Sequence, residues 1–134
     1  MASIKIVYPR TNDLGALKKI VKKYYDENLK GTTVINRDKG ITVIFSNVGR
    51  NHVLYARKVG FEKLVAVFQL SEMVVNAVFT NFKGPDDDDF SNIIGYMNFK
   101  AKVNINGVTQ AFRIVVRISK EGKFFYDHSV KVKK

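Results

Sequence analysis

The sequence predicts an α+β fold in which helices pack on one face of an antiparallel β-sheet. Three observations carry that expectation. From residue 98 to residue 132 the chain alternates apolar and polar residues at the period of strands, with the turn Asn106-Gly107 between two long runs. Residues 61–79 instead repeat apolar side chains at the period of a helix. The 134 residues are 46% hydrophobic, which suits one domain with an ordinary core.

The elements follow in order. Residues 3–8 alternate Ile4, Ile6 and Tyr8 against Lys5 and Val7, a short strand stopped by Pro9. A helix capped by Thr11 or Asn12 is expected to reach about Leu29, with Leu14, Leu17, Val21 and Tyr24 on one stripe, Ile20 beside it, and Gly31 as its stop. Lys18, Lys19, Lys22 and Lys23 lie off that stripe, on a solvated face. Residues 32–35 and 41–45 read as a hairpin. The segment SNVGRNH, residues 46–52, opens a short helical region ending near Gly60. Within 61–79, Phe61, Leu64, Val65 and Phe68 form one helical stripe, and Ser71 caps a second piece with Met73, Val74, Ala77 and Val78, or the helix kinks there. All of these read as core. Residues 82–91 read as a loop carrying Asp86, Asp87, Asp88 and Asp89, which lack the spacing of a cation-binding loop.

The final sheet can be read to the residue. A two-residue turn sets Ile105 opposite Val108, so Val103, Ala101, Phe99 and Met97 share an apolar face with Gln110, Phe112, Ile114 and Val116. The other face pairs Lys102 with Ala111, Lys100 with Arg113, Asn98 with Val115 and Tyr96 with Arg117. If Ser119 pairs with Lys123, strict alternation sets Val116 opposite Tyr126, Val115 opposite Asp127, Ile114 opposite His128 and Arg113 opposite Ser129. The polar face then carries Lys100, Lys102, Arg113, Arg117 and Lys131 among Tyr96 and Phe125. Cations that neutralise phosphates beside rings that stack on bases make a surface for single-stranded nucleic acid. A solvated sheet face is the alternative.

Charge favours the first reading. The chain has 23 basic against 12 acidic residues, a net charge of +11, and four of its acids are confined to one run. A polyanionic partner is expected, nucleic acid before a membrane surface; RNA comes before DNA only through the two-histidine chemistry below, which needs a 2′-hydroxyl. There is no cysteine, so neither disulfides nor thiolate metal sites form, and a cytoplasmic setting is expected. No segment approaches the apolar length of a membrane span, and the start lacks a signal peptide's core. No phosphate-binding glycine loop, dinucleotide fingerprint, nucleophile elbow or zinc-protease motif occurs. No cofactor and no metal is expected.

The candidates for chemistry are few. His52 and His128 are the two histidines. A pair of imidazoles can cleave RNA, one accepting the 2′-hydroxyl proton and the other protonating the leaving 5′-oxygen, while a cation stabilises the phosphorane. His52 stands beside Arg50 in a polar segment. His128 falls on the apolar face by alternation, as a hydrogen-bonded core histidine, unless a bulge near Asp127 turns it outward. Asp127 reads as a base, an arginine-orienting group or a cross-strand ion-pair partner. Arg113 and Arg117 are the strongest phosphate candidates, with Arg50 and Lys100 beside them.

The string ITVIFSNVGRNH, the helical block FEKLVAVFQLSEMVVNAV, an acidic loop, the strand pair around VNINGVTQAFRIVVRI and the terminal FFYDHS follow one another. This arrangement, residues 41–132, resembles the large polyvalent-protein-associated domains of phages and mobile elements, in particular the type ending in a Tyr-Asp-His strand. That type is similar to the barnase–EndoU–colicin–RelE-like ribonucleases. The resemblance implies a barnase/EndoU-like core at 41–132, with 1–40 an added strand and helix in a single domain. It also implies a toxin-like, metal-independent endoribonuclease that leaves 2′,3′-cyclic phosphate. Residue by residue it points to His52, Tyr126, Asp127 and His128. Two other classes fit the same scaffold: a non-catalytic nucleic-acid-binding module, and a protein-interaction or inhibitor module with a protein partner such as an immunity protein.

Overall fold

The structure, a computed structural model, describes residues 4–55, 59–85 and 92–132. The run of four aspartates lies outside the described residues. Strand β1 (Ile4–Ile6) leads to helix α1 (Leu14–Tyr24), which relaxes into a π-turn over Tyr25–Leu29. The cap of α1 is Asp13, whose carboxylate accepts the Ala16 N–H at 3.0 Å. Thr11 instead holds the Asp13 N–H. Leu17 and Val21 are buried on the expected stripe, while Ile20 is half exposed. Strands β2 (Thr33–Ile35) and β3 (Thr42–Ile44) pair antiparallel, as expected.

Helix α2 (Asn47–Leu54) runs through the whole GRNH segment. Helix α3 (Phe61–Ala66) breaks into a 3-10 turn at Val67–Gln69, ahead of Ser71, and resumes as α4 (Leu70–Asn76). The helical reading of Val78 is corrected: strand β4 (Val78–Lys83) begins there, with Val78 exposed. Strands β5 (Ile93–Ile105), β6 (Val108–Ser119) and β7 (Phe124–Lys131) complete the chain. The β5–β6 register matches the alternation, from Ile105 opposite Val108 to Tyr96 opposite Arg117. Asn106 and Gly107, at φ 50° and 91°, supply the paired positive φ that the turn needs.

The expected antiparallel sheet with helices on one face, barnase/EndoU-like, is overturned. The seven strands of the described residues form one mixed sheet in the order β1-β5-β6-β7-β3-β2, with β4 also on β5. β1 runs parallel to β5, and β3 runs parallel to β7. The sheet curls as a half-barrel, and among the described residues strand outweighs helix, 40% against 33%. Register shifts in β4, β5 and β7 give the curl a local cause, since each extra residue bends its strand and raises its twist. One core joins the helices to the sheet: Leu17, Val21, Leu54, Leu64, Val65, Leu70 and Met73 pack with Phe99, Val103, Phe112, Ile114 and Tyr126. Burying a side chain such as Ile114 contributes about 1.5–3 kcal/mol.

Candidate functional site

The site is built on the shift in β7. Val116 pairs with Tyr126 as alternation requires, but Val115 pairs with His128, leaving Asp127 as an extra residue. The slip reverses every later position. Ser129 moves to the buried side opposite Ile114, and Lys131 leaves the polar face for Glu62 of α3, 3.6 Å away. His128 turns out of the core to face the side of Val115. Two neighbouring residues of one strand thus reach each other, His128 Nδ1 lying 2.7 Å from Asp127 Oδ2.

Helix α2 brings the second histidine. It approaches β7 so closely at Gly49 that an added Cβ would stand 2.6 Å from the Tyr126 carbonyl oxygen. One turn on, His52 Nδ1 lies 3.0 Å from the Asp127 carbonyl oxygen and 3.4 Å from its Oδ2. The two imidazole centroids are 5.9 Å apart, nearly perpendicular. Arg117 Nη1 stands 3.6 Å from the other oxygen of Asp127, with its guanidinium over the Phe125 ring. The Nε of Arg117 is buried and has no hydrogen-bond partner among the described residues.

Proton positions follow from the partners. A carbonyl and an ionised carboxylate only accept, so both histidines carry hydrogen on Nδ1 in these bonds, and Nε2 of each is left for other work. Burial of Asp127 opposes its ionisation, but the hydrogen bonds from His128 and His52 outweigh burial and hold the carboxyl well below its ordinary range. The Asp127 bond raises the pKa of His52 against the pull of burial and of Arg117.

The remaining sequence candidates divide. Arg113 and Lys100 face each other across β5 and β6, exposed on the polar side. Tyr126 lies underneath, fully buried against Phe45, its hydroxyl 3.0 Å from Ser129 Oγ; burial drives its pKa up, out of any acid–base range. Arg50, two residues from His52 and so on another side of α2, is tied to Asp26 at 2.8 Å. A polar pocket of about 200 Å³ adds residues the sequence did not single out for chemistry. Lys83, Tyr96, Asn98, Arg113, Val115, Asp127 and His128 line it. Lys83 falls in the segment expected to be loop and instead ends β4, while Val115 is legible as the apolar position between Arg113 and Arg117.

His52, Asp127 and His128 offer ligand atoms within 4.8 Å of one another, a spacing a metal ion can use. With both Nδ1 protons committed to Asp127, a cation would bind the imidazoles through Nε2, beside the charge of Arg117. No helix among the described residues is long and apolar enough to cross a membrane.

A family model, described as large polyvalent protein-associated domain 3, matches residues 12–126. Neither the curated proteins nor the solved structures contain a match to this chain.

Proposed function

We propose, on the premise that this chain belongs to the large polyvalent protein-associated domain 3 family, which is associated with phages and mobile elements, that it binds RNA on its polar sheet face and cleaves it without metal. One observation carries the reading: two histidines converge on one buried residue, Asp127, whose carbonyl and carboxylate fix Nδ1–H on both and leave Nε2 of each for reaction. This is the chemistry that the resemblance to the barnase–EndoU–colicin–RelE-like ribonucleases implies. The site, not the fold, supports it.

In the step we assign, His128 Nε2 accepts the proton of the 2′-hydroxyl. The 2′-oxygen attacks phosphorus, the bond to the 5′-oxygen breaks, and the imidazolium of His52 protonates that oxygen. The raised pKa of His52 suits it to the acid role. The products are a 2′,3′-cyclic phosphate and a free 5′-hydroxyl. Arg117, beside Asp127, supplies charge to the phosphorane. Arg113 and Lys100 hold neighbouring phosphates. Asp127 orients both imidazoles, and Tyr126 braces the bulge from below.

The test is cleavage of a mixed-sequence RNA in EDTA by wild type and His52→Ala, with analysis of the end groups. Cyclic-phosphate products from wild type that fall by roughly 10²–10⁴-fold in the variant support the reading. RNA retention without cleavage makes the chain a nucleic-acid-binding module instead.

A further inference from the structure

We propose that the pocket floored by Val115 is a nucleobase subsite, and that Asn98 sets its preference among bases. The inference rests on the transesterification above and names what it reads.

Val115 is 5% exposed, yet it lies on the polar face between Arg113 and Arg117. A solvated face has no use for an apolar residue at its centre, whereas a base presents a flat apolar face and a polar edge. In register, Val115 is flanked by Asn98 of β5 on one side and His128 of β7 on the other. A base lying on Val115 therefore meets an amide at one edge and an imidazole at the other. Tyr96, two residues before Asn98, stands at the rim with Lys83, whose Nζ is 6.0 Å from the Tyr96 centroid.

The Asn98 side chain sets one donor beside one acceptor, the pattern that pairs with a base edge. Its Nδ2 lies 3.4 Å from Asn81 Oδ1, the long limit of a hydrogen bond, so that contact costs little to exchange. Arg113 adds donors and no acceptor.

His128 lines this pocket, and His52 is not part of its lining. If His128 accepts the 2′-hydroxyl proton, the nucleoside that bears this hydroxyl lies on the pocket side. The pocket then reads the base on the 5′ side of the cut, with its 3′-phosphate between the imidazoles and Arg113 nearby.

The experiment uses the four nucleoside 3′-monophosphates, titrated separately into the whole protein and followed by amide NMR shifts. Wild type and Asn98→Leu are compared, and RNA cleavage in EDTA is run on the same samples. The expected result is one base bound roughly 5- to 100-fold tighter than the weakest, with shifts at Val115 and Tyr96, and a ratio near one in Asn98→Leu. Four equal affinities in wild type overturn the subsite whether or not the variant folds, and so does a preference that a folded Asn98→Leu keeps. Cleavage without base preference refutes the subsite and leaves the ribonuclease standing. Base preference without cleavage does the reverse.

Discussion

Asp127 is the residue on which the two histidines depend. Its carboxylate and carbonyl take both Nδ1 protons, and Arg117 approaches its second oxygen. Asp127→Asn removes the charge and should return the His52 pKa toward its ordinary value of 6.5. With His52 as the acid, the alkaline limb of the cleavage profile then moves to lower pH, which histidine ring-proton titration checks independently. Stability carries the same linkage. The lowered carboxyl of Asp127 contributes fully above its ordinary 3.8 and loses that contribution as pH falls toward its lowered value. The raised His52 contributes fully below 6.5 and loses it as pH rises through its raised value. Urea midpoints of wild type should therefore fall at both ends of the pH range, and those of Asp127→Asn should be lower at neutral pH and flatter. Nothing local in the sequence announces the His52–Asp127 partnership, which joins positions 75 residues apart. The candidates themselves were legible because the chain has only two histidines.

At the scale of elements, what could be read was whatever repeats or turns locally. Asn106-Gly107 and strict alternation give the whole β5–β6 register. Gly107→Ala should destabilise by about 1–2 kcal/mol in urea unfolding, because φ is 91° there. The β7 bulge was an open alternative, since alternation cannot say where a strand gains a residue. Strand β4 was hidden because Val78 continues the helical spacing of Met73 and Val74. Helix α2 and β7 meet at Gly49, where an added Cβ would also stand 2.7 Å from Tyr126 Cδ2. Gly49→Ala should cost about 1–3 kcal/mol and, by lifting His52 off Asp127, lower the His52 pKa. A variant as stable as wild type, with an unchanged His52 titration, would contradict that packing.

Over the whole molecule the parallel pairings escaped the sequence. β1 and β3 are each three residues long, and each finds its parallel partner across most of the chain, with no turn to signal it. Those pairings turned an expected antiparallel layer into a curled mixed sheet. The charge was legible throughout, and it makes its own prediction. Neutralising phosphates releases counterions, so RNA affinity should fall steeply with salt. Lys100→Ala/Arg113→Ala should weaken binding and reduce the slope of log affinity against log salt by about 1.4, two phosphate contacts at the single-strand value. An unchanged slope would remove these residues from the interface.

The most direct measurement is single-turnover RNA cleavage in EDTA by His52→Ala, His128→Ala and the double variant. A pair acting as one unit predicts that each single change costs roughly 10²–10⁴-fold and that the double costs little more. Full activity in His128→Ala, or wild-type activity that appears only when a divalent ion is added, would contradict the account.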